Sequence, residues 1–338
     1  MKEKKAIHIY TLNGYFNYGN RLQLFALTKS LSKITDSVKI KTYWQKSITQ
    51  KLKELIKYYT PLALLNKKER KLKRFTRKYI GAETSISNAD IKIVGSDQVF
   101  NPDYIKKHNY LPLNDGVKTV SYAASIGKSN LSKTESSFLC QKIKQYEKIS
   151  VREKTAKETL QPLLQEHDIE VVLDPTLLLE KQEYERLEKK PRNLSKKEKY
   201  ILCYILGNHD HETIIDIFAK KQGYKTIYFS DKPDSDYGVE EFLYLIHHAE
   251  LICTDSFHAC VFSFIFERPF VAFRRSGKAN YMYTRLQNLI NTFKLKNREF
   301  NGTNITKENL ETDYSEAKKI LKKEQEKSLN FLKEALGE

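Results

Sequence analysis

No stretch of this 338-residue chain approaches the ~20 consecutive apolar residues that a membrane-spanning helix needs. Met1–Lys5 is charged, but the apolar run after it, Ala6–Leu12, is short and leads into a polar loop, so no signal peptide is expected. Cysteine is scarce. Cys140, Cys203, Cys253 and Cys260 show no C-x-x-C spacing, and three of them fall in predicted buried elements. They read as reduced core thiols of a cytoplasmic protein, not as a disulfide framework or a metal site. No group of His, Asp, Glu or Cys has metal-ligand spacing. His247 and His248 are adjacent and would face different ways on a helix, so neither a metal nor another cofactor is expected. Neither G-x-G-x-x-G nor G-x-x-x-x-G-K-[ST] occurs, which excludes a dinucleotide or P-loop reading on motif grounds. No internal repeat is visible.

Positive charge is plentiful. Lys and Arg number 59 against 42 Asp and Glu, a net +17. Such a balance implies an anionic partner: nucleic acid, an acidic membrane surface or a phosphorylated substrate. The charge concentrates in Lys46–Lys78, where the only acids are Glu54 and Glu69, with Leu52, Leu55, Ile56, Tyr58, Tyr59, Leu62, Leu64 and Leu65 interleaved. Pro61 divides this stretch into two helical pieces. A basic amphipathic segment reads as membrane-surface binding, and equally as a solvated insertion packed on one face. No nucleic-acid motif accompanies it, so no nucleic-acid partner is expected.

Along the chain, short apolar runs alternate with helical patterns, the signature of a parallel α/β fold. Ala6–Leu12 is a strand, followed by a polar loop with Asn20 as a cap and a helix over Arg21–Ile34. Asn17, Asn20, Arg21 and Gln23 are placed to face a ligand. The strands Ile91–Gly95, Thr119–Ala124, Lys148–Val151 and Val171–Leu173 end in Ser96-Asp97-Gln98…Asn101, Ser125, Arg152-Glu153 and Asp174-Pro175-Thr176. Polar residues after successive strands suit a doubly wound sheet with a crevice along its C-terminal edge. Residues 177–199 read as a connection. A second series follows, with strands Tyr200–Leu206, Thr226–Phe229, Leu251–Cys253 and Phe270–Phe273 and helices around His211–Lys221, Val239–His248, Ser256–Phe266 and Tyr281–Ile290. A long helix from about Thr306 to Leu336 closes the chain.

The domains expected are thus an N-terminal α/β domain (1–176) carrying the basic insertion 46–78, the connection 177–199, a C-terminal α/β domain (200–300), and 301–338 as a helix returning to the first domain. Chemistry concentrates in Glu250–Phe273. Leu251–Cys253 is a buried strand, Thr254, Asp255 and Ser256 are helix caps, and His258 stands in the first turn of an apolar helix. A helix start after a parallel strand favours a bound anion.

The ordered motifs Asn17-Tyr-Gly-Asn-Arg-Leu-Gln23, Gly95-Ser-Asp-Gln-Val-Phe-Asn101, Ser121-Tyr-Ala-Ala-Ser125, Ser150-Val-Arg-Glu153, Leu173-Asp-Pro-Thr176 and Thr254-Asp-Ser-Phe-His258 resemble the polysaccharide pyruvyl transferase family over most of the chain. Ala259 stands where that resemblance leads one to expect glycine, and Phe100 where it leads one to expect tryptophan. The resemblance implies two Rossmann-like domains facing across a cleft in a GT-B-like arrangement. It also implies transfer of a pyruvyl group from phosphoenolpyruvate, a co-substrate, onto a sugar of a bacterial surface polysaccharide or its lipid-linked precursor, giving a pyruvate ketal. In that reading His258 is the acid, Asp255 its charge partner and Asp97 the base. Arg152, Ser125, Ser256, Arg275 and Arg285, with Arg274 nearby, hold the anionic donor. Asn17, Asn20, Arg21, Gln23, Ser96, Gln98 and Asn101 recognise the saccharide. The basic segment would hold the enzyme peripherally on the inner, anionic face of the plasma membrane. The alternative is a nucleotide-sugar glycosyltransferase of the same architecture. A non-catalytic binding protein of polymer assembly ranks last, since it would not need polar residues at so many strand ends.

Overall fold

A computed structural model describes residues 6–12, 15, 17–35, 66–81, 89–108, 110–112, 114–128, 130–195, 198–207, 209–229, 232, 235–275 and 283–338. Much of the basic segment, 46–65, therefore lies outside the described residues. The chain divides into two units, Met1–Leu179 with Glu324–Glu338, and Glu180–Lys323.

The first unit holds a parallel sheet in the order β1 (Ile7–Tyr10), β2 (Ile91–Val94), β3 (Lys118–Ala124), β4 (Lys148–Val151), β5 (Ile169–Val171). A parallel sheet is covered on both faces, so its strands are apolar runs rather than alternating ones. Ile7, Ile9, Ile91, Ile93, Val94, Val120, Ile149 and Val151 are all buried. Between β3 and β4 the register shifts at Ser121/Ala124, where Ala123 has φ 49°. The kink separates two residues that a regular strand would keep on one face. Ala124 joins the cluster of Leu139, Ile143, Ala156 and Leu160 from α4 (Lys133–Ile143) and α5 (Lys154–Leu160). The Tyr122 ring instead meets Phe331 at 6.2 Å. The preceding helices are α1 (Tyr18–Ile34), α2 (Lys67–Phe75) and α3 (Pro102–His108).

The second unit opens with α6 (Lys181–Glu185) and builds a four-stranded parallel sheet from β6 (Tyr200–Tyr204), β7 (Lys225–Tyr228), β8 (Leu251–Thr254) and β9 (Phe270–Ala272), ordered β7-β6-β8-β9. Helices α7 (Glu212–Gln222), α8 (Val239–His247), α9 (Phe257–Ile265) and α10 (Tyr283–Thr292) surround it. Ile215, Phe218 and Ala219 of α7 pack with Ile201, Cys203, Leu251, Cys253 and Val271 of the strands. Elsewhere Phe262 of α9 meets Tyr184 edge-on at 4.9 Å and Phe242 at 6.3 Å.

A final helix, α11 (Ser315–Leu336), begins in the second unit, and its residues from Glu324 belong to the first. There Ser328 Oγ accepts from the Leu173 amide at 3.0 Å, Gln325 Nε2 donates to the Leu177 carbonyl at 2.6 Å, and Phe331 and Leu332 are buried. The helix starts nine residues later than the sequence suggests, because Lys307–Leu310 is a separate short turn. In addition, the Tyr314 hydroxyl is tied to the Arg268 carbonyl at 2.9 Å.

Strand order differs between the sheets. Among the described residues the first runs β1 to β5 without reversal, so it lacks the switch point of a doubly wound sheet. The second reverses at β6, whose connections leave in the opposite direction from those of β8. The C-terminal ends of β6 and β8 are thus a topological switch point, where α/β sheets bind ligands.

The described part of the basic segment is a one-face-packed helix. Leu72 and Phe75 are fully buried, and Phe75 meets Phe25 of α1 at 6.1 Å. Lys68 is buried with its ammonium over Tyr18, and Lys73 lies over Tyr15. Arg70, Arg74, Arg77 and Lys78 remain exposed.

Candidate active site

In the second unit the switch point is built around Asp255. Its carboxylate accepts from the amides of Leu206 (2.8 Å) and Gly207 (2.7 Å) beyond β6, and from Arg275 Nε (3.0 Å) beyond β9. One side chain therefore ties three strand ends together. Gly207 is tight here: a Cβ would lie 3.0 Å from Asp255 Oδ2 and 3.1 Å from Arg275 Cγ. Thr254 completes the corner, donating to the Tyr204 carbonyl at 2.6 Å and accepting from the Ser256 amide at 3.0 Å.

α9 begins at this corner. Ser256 is its N-cap residue but makes no side-chain capping bond, which suits a helix start whose amides serve an anion. His258 is buried in the first turn, its ring 5.2 Å from that of Phe257, and the Arg285 guanidinium lies 5.9 Å over Phe257. The structure thus brings Asp255, Ser256, His258, Arg275 and Arg285 into one neighbourhood. Arg274 is exposed, with its guanidinium 4.6 Å over the Tyr283 ring. The Asp255 carboxylate is engaged by backbone amides and Arg275. Ala259 is fully buried within α9 and accepts from Ser263 through its carbonyl.

In the first unit the strand ends carry a continuous polar network. Asn17, not Asn20, caps α1: its Oδ1 accepts from the Asn20 amide at 3.1 Å, and the helix starts at Tyr18. This frees the Asn20 side chain, whose Nδ2 donates to Asp97 Oδ2 (3.0 Å) and to the Leu12 carbonyl (2.9 Å). Its Oδ1 accepts from Arg21, a guanidinium with no exposed surface and 5.1 Å over Tyr15. Gln23 is equally buried. It donates to Thr11 Oγ1 and accepts from the Ser96 amide, both at 3.2 Å, cross-linking the ends of β1 and β2.

Asp97 follows with φ 68°, a left-handed conformation that Asp tolerates better than most residues. Its Oδ1 accepts from the Gln98 amide (2.9 Å), and its carbonyl from the Ser125 amide (2.9 Å). Gly95 is sterically required, since a Cβ there would sit 1.9 Å from the Tyr122 carbonyl oxygen. Asn101 accepts from the Asp103 amide, its Nδ2 facing Gln98 Oε1 at 3.4 Å. Phe100 is fully buried 6.4 Å from Tyr146. The site of this aromatic is therefore core.

Beyond β4, Arg152 Nε meets Glu153 Oε1 at 3.0 Å and Nη1 meets Asp174 Oδ2 at 2.7 Å; Ser125 donates to the same Glu153 oxygen at 2.8 Å. Burial works against the guanidinium charge, but Glu153, Asp174 and Asp97 together hold its pKa above the ordinary arginine value. Arg152 is thus a fully charged, carboxylate-clamped cross-brace. Sequence reasoning named Glu153 and Asp174 as polar residues at strand ends without giving them a role, and did not single out Thr11 or Tyr110. Burial lifts the Tyr110 phenol pKa first and the Asp97 charge second, and its hydroxyl donates to the Val99 carbonyl at 2.8 Å. An acid directly beside Arg152 was the available signal for Glu153.

Among solved structures, the UDP-GlcNAc 2-epimerase of Neisseria meningitidis bound to UDP-GlcNAc superimposes with a TM-score of 0.50 at 10% identity, covering 98% of this chain and 99% of that one. The UDP-GlcNAc 2-epimerase of Methanocaldococcus jannaschii gives 0.45 at 12% identity, over 94% and 92%. The first of these likenesses shows a GT-B-like α/β fold and nothing of substrate. No curated protein matches. The family model of polysaccharide pyruvyl transferases matches residues 17–277, from the Asn17 cap to just beyond Arg275. The chain belongs to the polysaccharide pyruvyl transferase family.

Proposed function

We propose that this transferase moves the pyruvyl unit of phosphoenolpyruvate onto two hydroxyls of one sugar, in a surface polysaccharide or its lipid-linked precursor. One hydroxyl oxygen adds to C2 of the donor while a proton reaches the vinyl carbon, making a methyl group. The C2–O bond to phosphate then breaks, the second hydroxyl closes the ketal, and inorganic phosphate leaves with the remaining proton.

The observation that carries this reading is His258 in the first turn of α9, at the switch point of the second sheet, with Arg275 and Arg285 nearby. His258 delivers the proton to the vinyl carbon. The α9 amides and the two arginines hold the phosphate and carboxylate. The first-unit edge, with Asn20, Asp97, Gln98 and Asn101, is assigned to the saccharide, and Asp97 accepts a hydroxyl proton. Arg152 and Ser125, both engaged by Glu153, enter as groups that fix this edge rather than as donor ligands. The exposed Arg70, Arg74 and Arg77 share one side of α2 and the turn after it, which suits an anionic bilayer; absence of co-sedimentation with anionic vesicles at low salt would exclude that partner.

A thermal-shift comparison of phosphoenolpyruvate with UDP, CMP and GDP tests the donor. A shift with phosphoenolpyruvate that Arg285→Ala weakens supports the proposal. A shift with one nucleotide alone transfers the chain to nucleotide-sugar chemistry. With an acceptor in hand, His258→Ala is expected to lower turnover by about 10²–10⁴-fold.

A further inference from the structure

At the opposite end of the second sheet, a chain segment and a helix end converge on one carboxylate. Glu188 follows α6. Its Oε1 lies 2.6 Å from His247 Nδ1 and its Oε2 3.1 Å from His248 Nε2. Adjacent residues on a helix diverge by about 100°, and the sequence led us to expect that here. The divergence fails because α8 ends at His247: His248 is the C-cap, with φ −105° and ψ 5°. Packing fixes both rings. His247 stacks on Phe266 at 4.5 Å and 14°, and His248 stacks on Tyr244 at 4.1 Å.

We propose that Glu188, His247 and His248 bind a divalent transition-metal ion of the zinc type. One carboxylate oxygen and two imidazole nitrogens form a common zinc donor set, which leaves a fourth position for water. The ligand atoms all lie within 4.8 Å of one another. Zinc bonds of about 2.0–2.2 Å put tetrahedral neighbours about 3.3 Å apart, so side-chain rotations that close the widest separation by at most about 1.5 Å accommodate the ion. Glu188 and His247 side chains are only 11% and 15% exposed, while His248, at 41%, leaves an entry path from solvent. A metal-bound imidazole typically offers its other nitrogen to a carboxylate. His247 Nε2 faces Glu185 Oε1 at 3.8 Å, and Lys181 lies 3.5 Å from the same oxygen.

The placement sets the ion apart from the candidate active site. His248 precedes β8, so the cluster sits at the start of the strands, whereas Asp255 and His258 follow their ends. The ion clips the chain after α6 to the end of α8.

The test is equilibrium dialysis of tag-free, chelator-stripped protein against Zn²⁺, with metal analysis, a thermal melt, and visible spectra after Co²⁺ substitution. One zinc per chain at micromolar concentration or below, a raised melting temperature and tetrahedral cobalt bands are expected. His248→Ala, at the exposed ligand, and Glu188→Gln should each weaken binding by more than the about 10–100-fold that outer-shell losses cause. No stoichiometric zinc, or zinc that both variants bind unchanged, overturns the assignment.

Discussion

Asp255 shows how one side chain can tie a site together. Its side chain is 2% exposed and engages two amides and Arg275. Asp255→Ala leaves those donors unmatched in a buried corner, and about 3–5 kcal/mol of stability should be lost, read from the shift in denaturant midpoint. The thiols offer a second check. Burial pushes Cys203 up to about 12, and holds Cys253 and Cys260 well above the ordinary thiol range. Iodoacetamide at mildly alkaline pH should therefore label native protein far more slowly than unfolded protein, which mass spectrometry resolves site by site. The polar residues at strand ends were legible because each follows an apolar run. Their division of labour was not. Nothing in the letters says that Gln23 braces two strands while its neighbour Asn20 reaches Asp97, since both facts depend on where α1 is capped.

The helix α4 carries a reciprocal cap: the Glu135 amide donates to Ser132 Oγ, and the Ser132 amide to Glu135 Oε2. Ser132→Ala should cost about 1 kcal/mol. The Lys128 ammonium first, and the Ser132 donors next, hold Glu135 at about 2 instead of its ordinary 4.5. A carboxylate depressed on folding contributes stability that is complete above its ordinary value and lost as pH falls through about 2. Solvent screening limits it to roughly 1 kcal/mol or less. Glu135→Gln retains the box geometry and removes the charge. Its deficit against the parent, measured by chemical denaturation, should be present near neutrality and vanish below about pH 2. Every strand of the two sheets overlaps a run that sequence alone marks, but β5 lies two residues before the expected Val171–Leu173, and β7, Lys225–Tyr228, is not buried. The missed helices are α3, α4 and α6. For α4 the signal was present in Ser132-x-x-Glu135 followed by Leu139 and Ile143. For α6, five residues long, charge and brevity hid it.

At the scale of the molecule, the two sheets share parallel strands but differ in winding, and among the described residues only the second has a switch point. The proton-transfer chemistry is proposed there, whereas the first sheet presents a braced polar edge. Strand order depends on which connection crosses which face, so the sequence offered no means of telling the two apart. The end of α11 is integral to the first unit. Removing residues 324–338 uncovers the layer that Phe331, Leu332, Ala335 and Leu336 bury. At ~1.5–3 kcal/mol for each large side chain, the loss is on the order of several kcal/mol. Gain of hydrophobic-dye fluorescence and early melting of the truncated chain are the expected readouts.

That same arrangement sets an order of events during synthesis. The second unit is one continuous run, Glu180–Lys323, and can close as soon as it leaves the ribosome. The first unit has its fifth strand by Val171, yet its last helical turns are made only after the whole second unit. At ordinary elongation rates that interval is on the order of ten seconds. For that time the nascent chain displays the Tyr122 face uncovered, so the part encoded first is the part completed last.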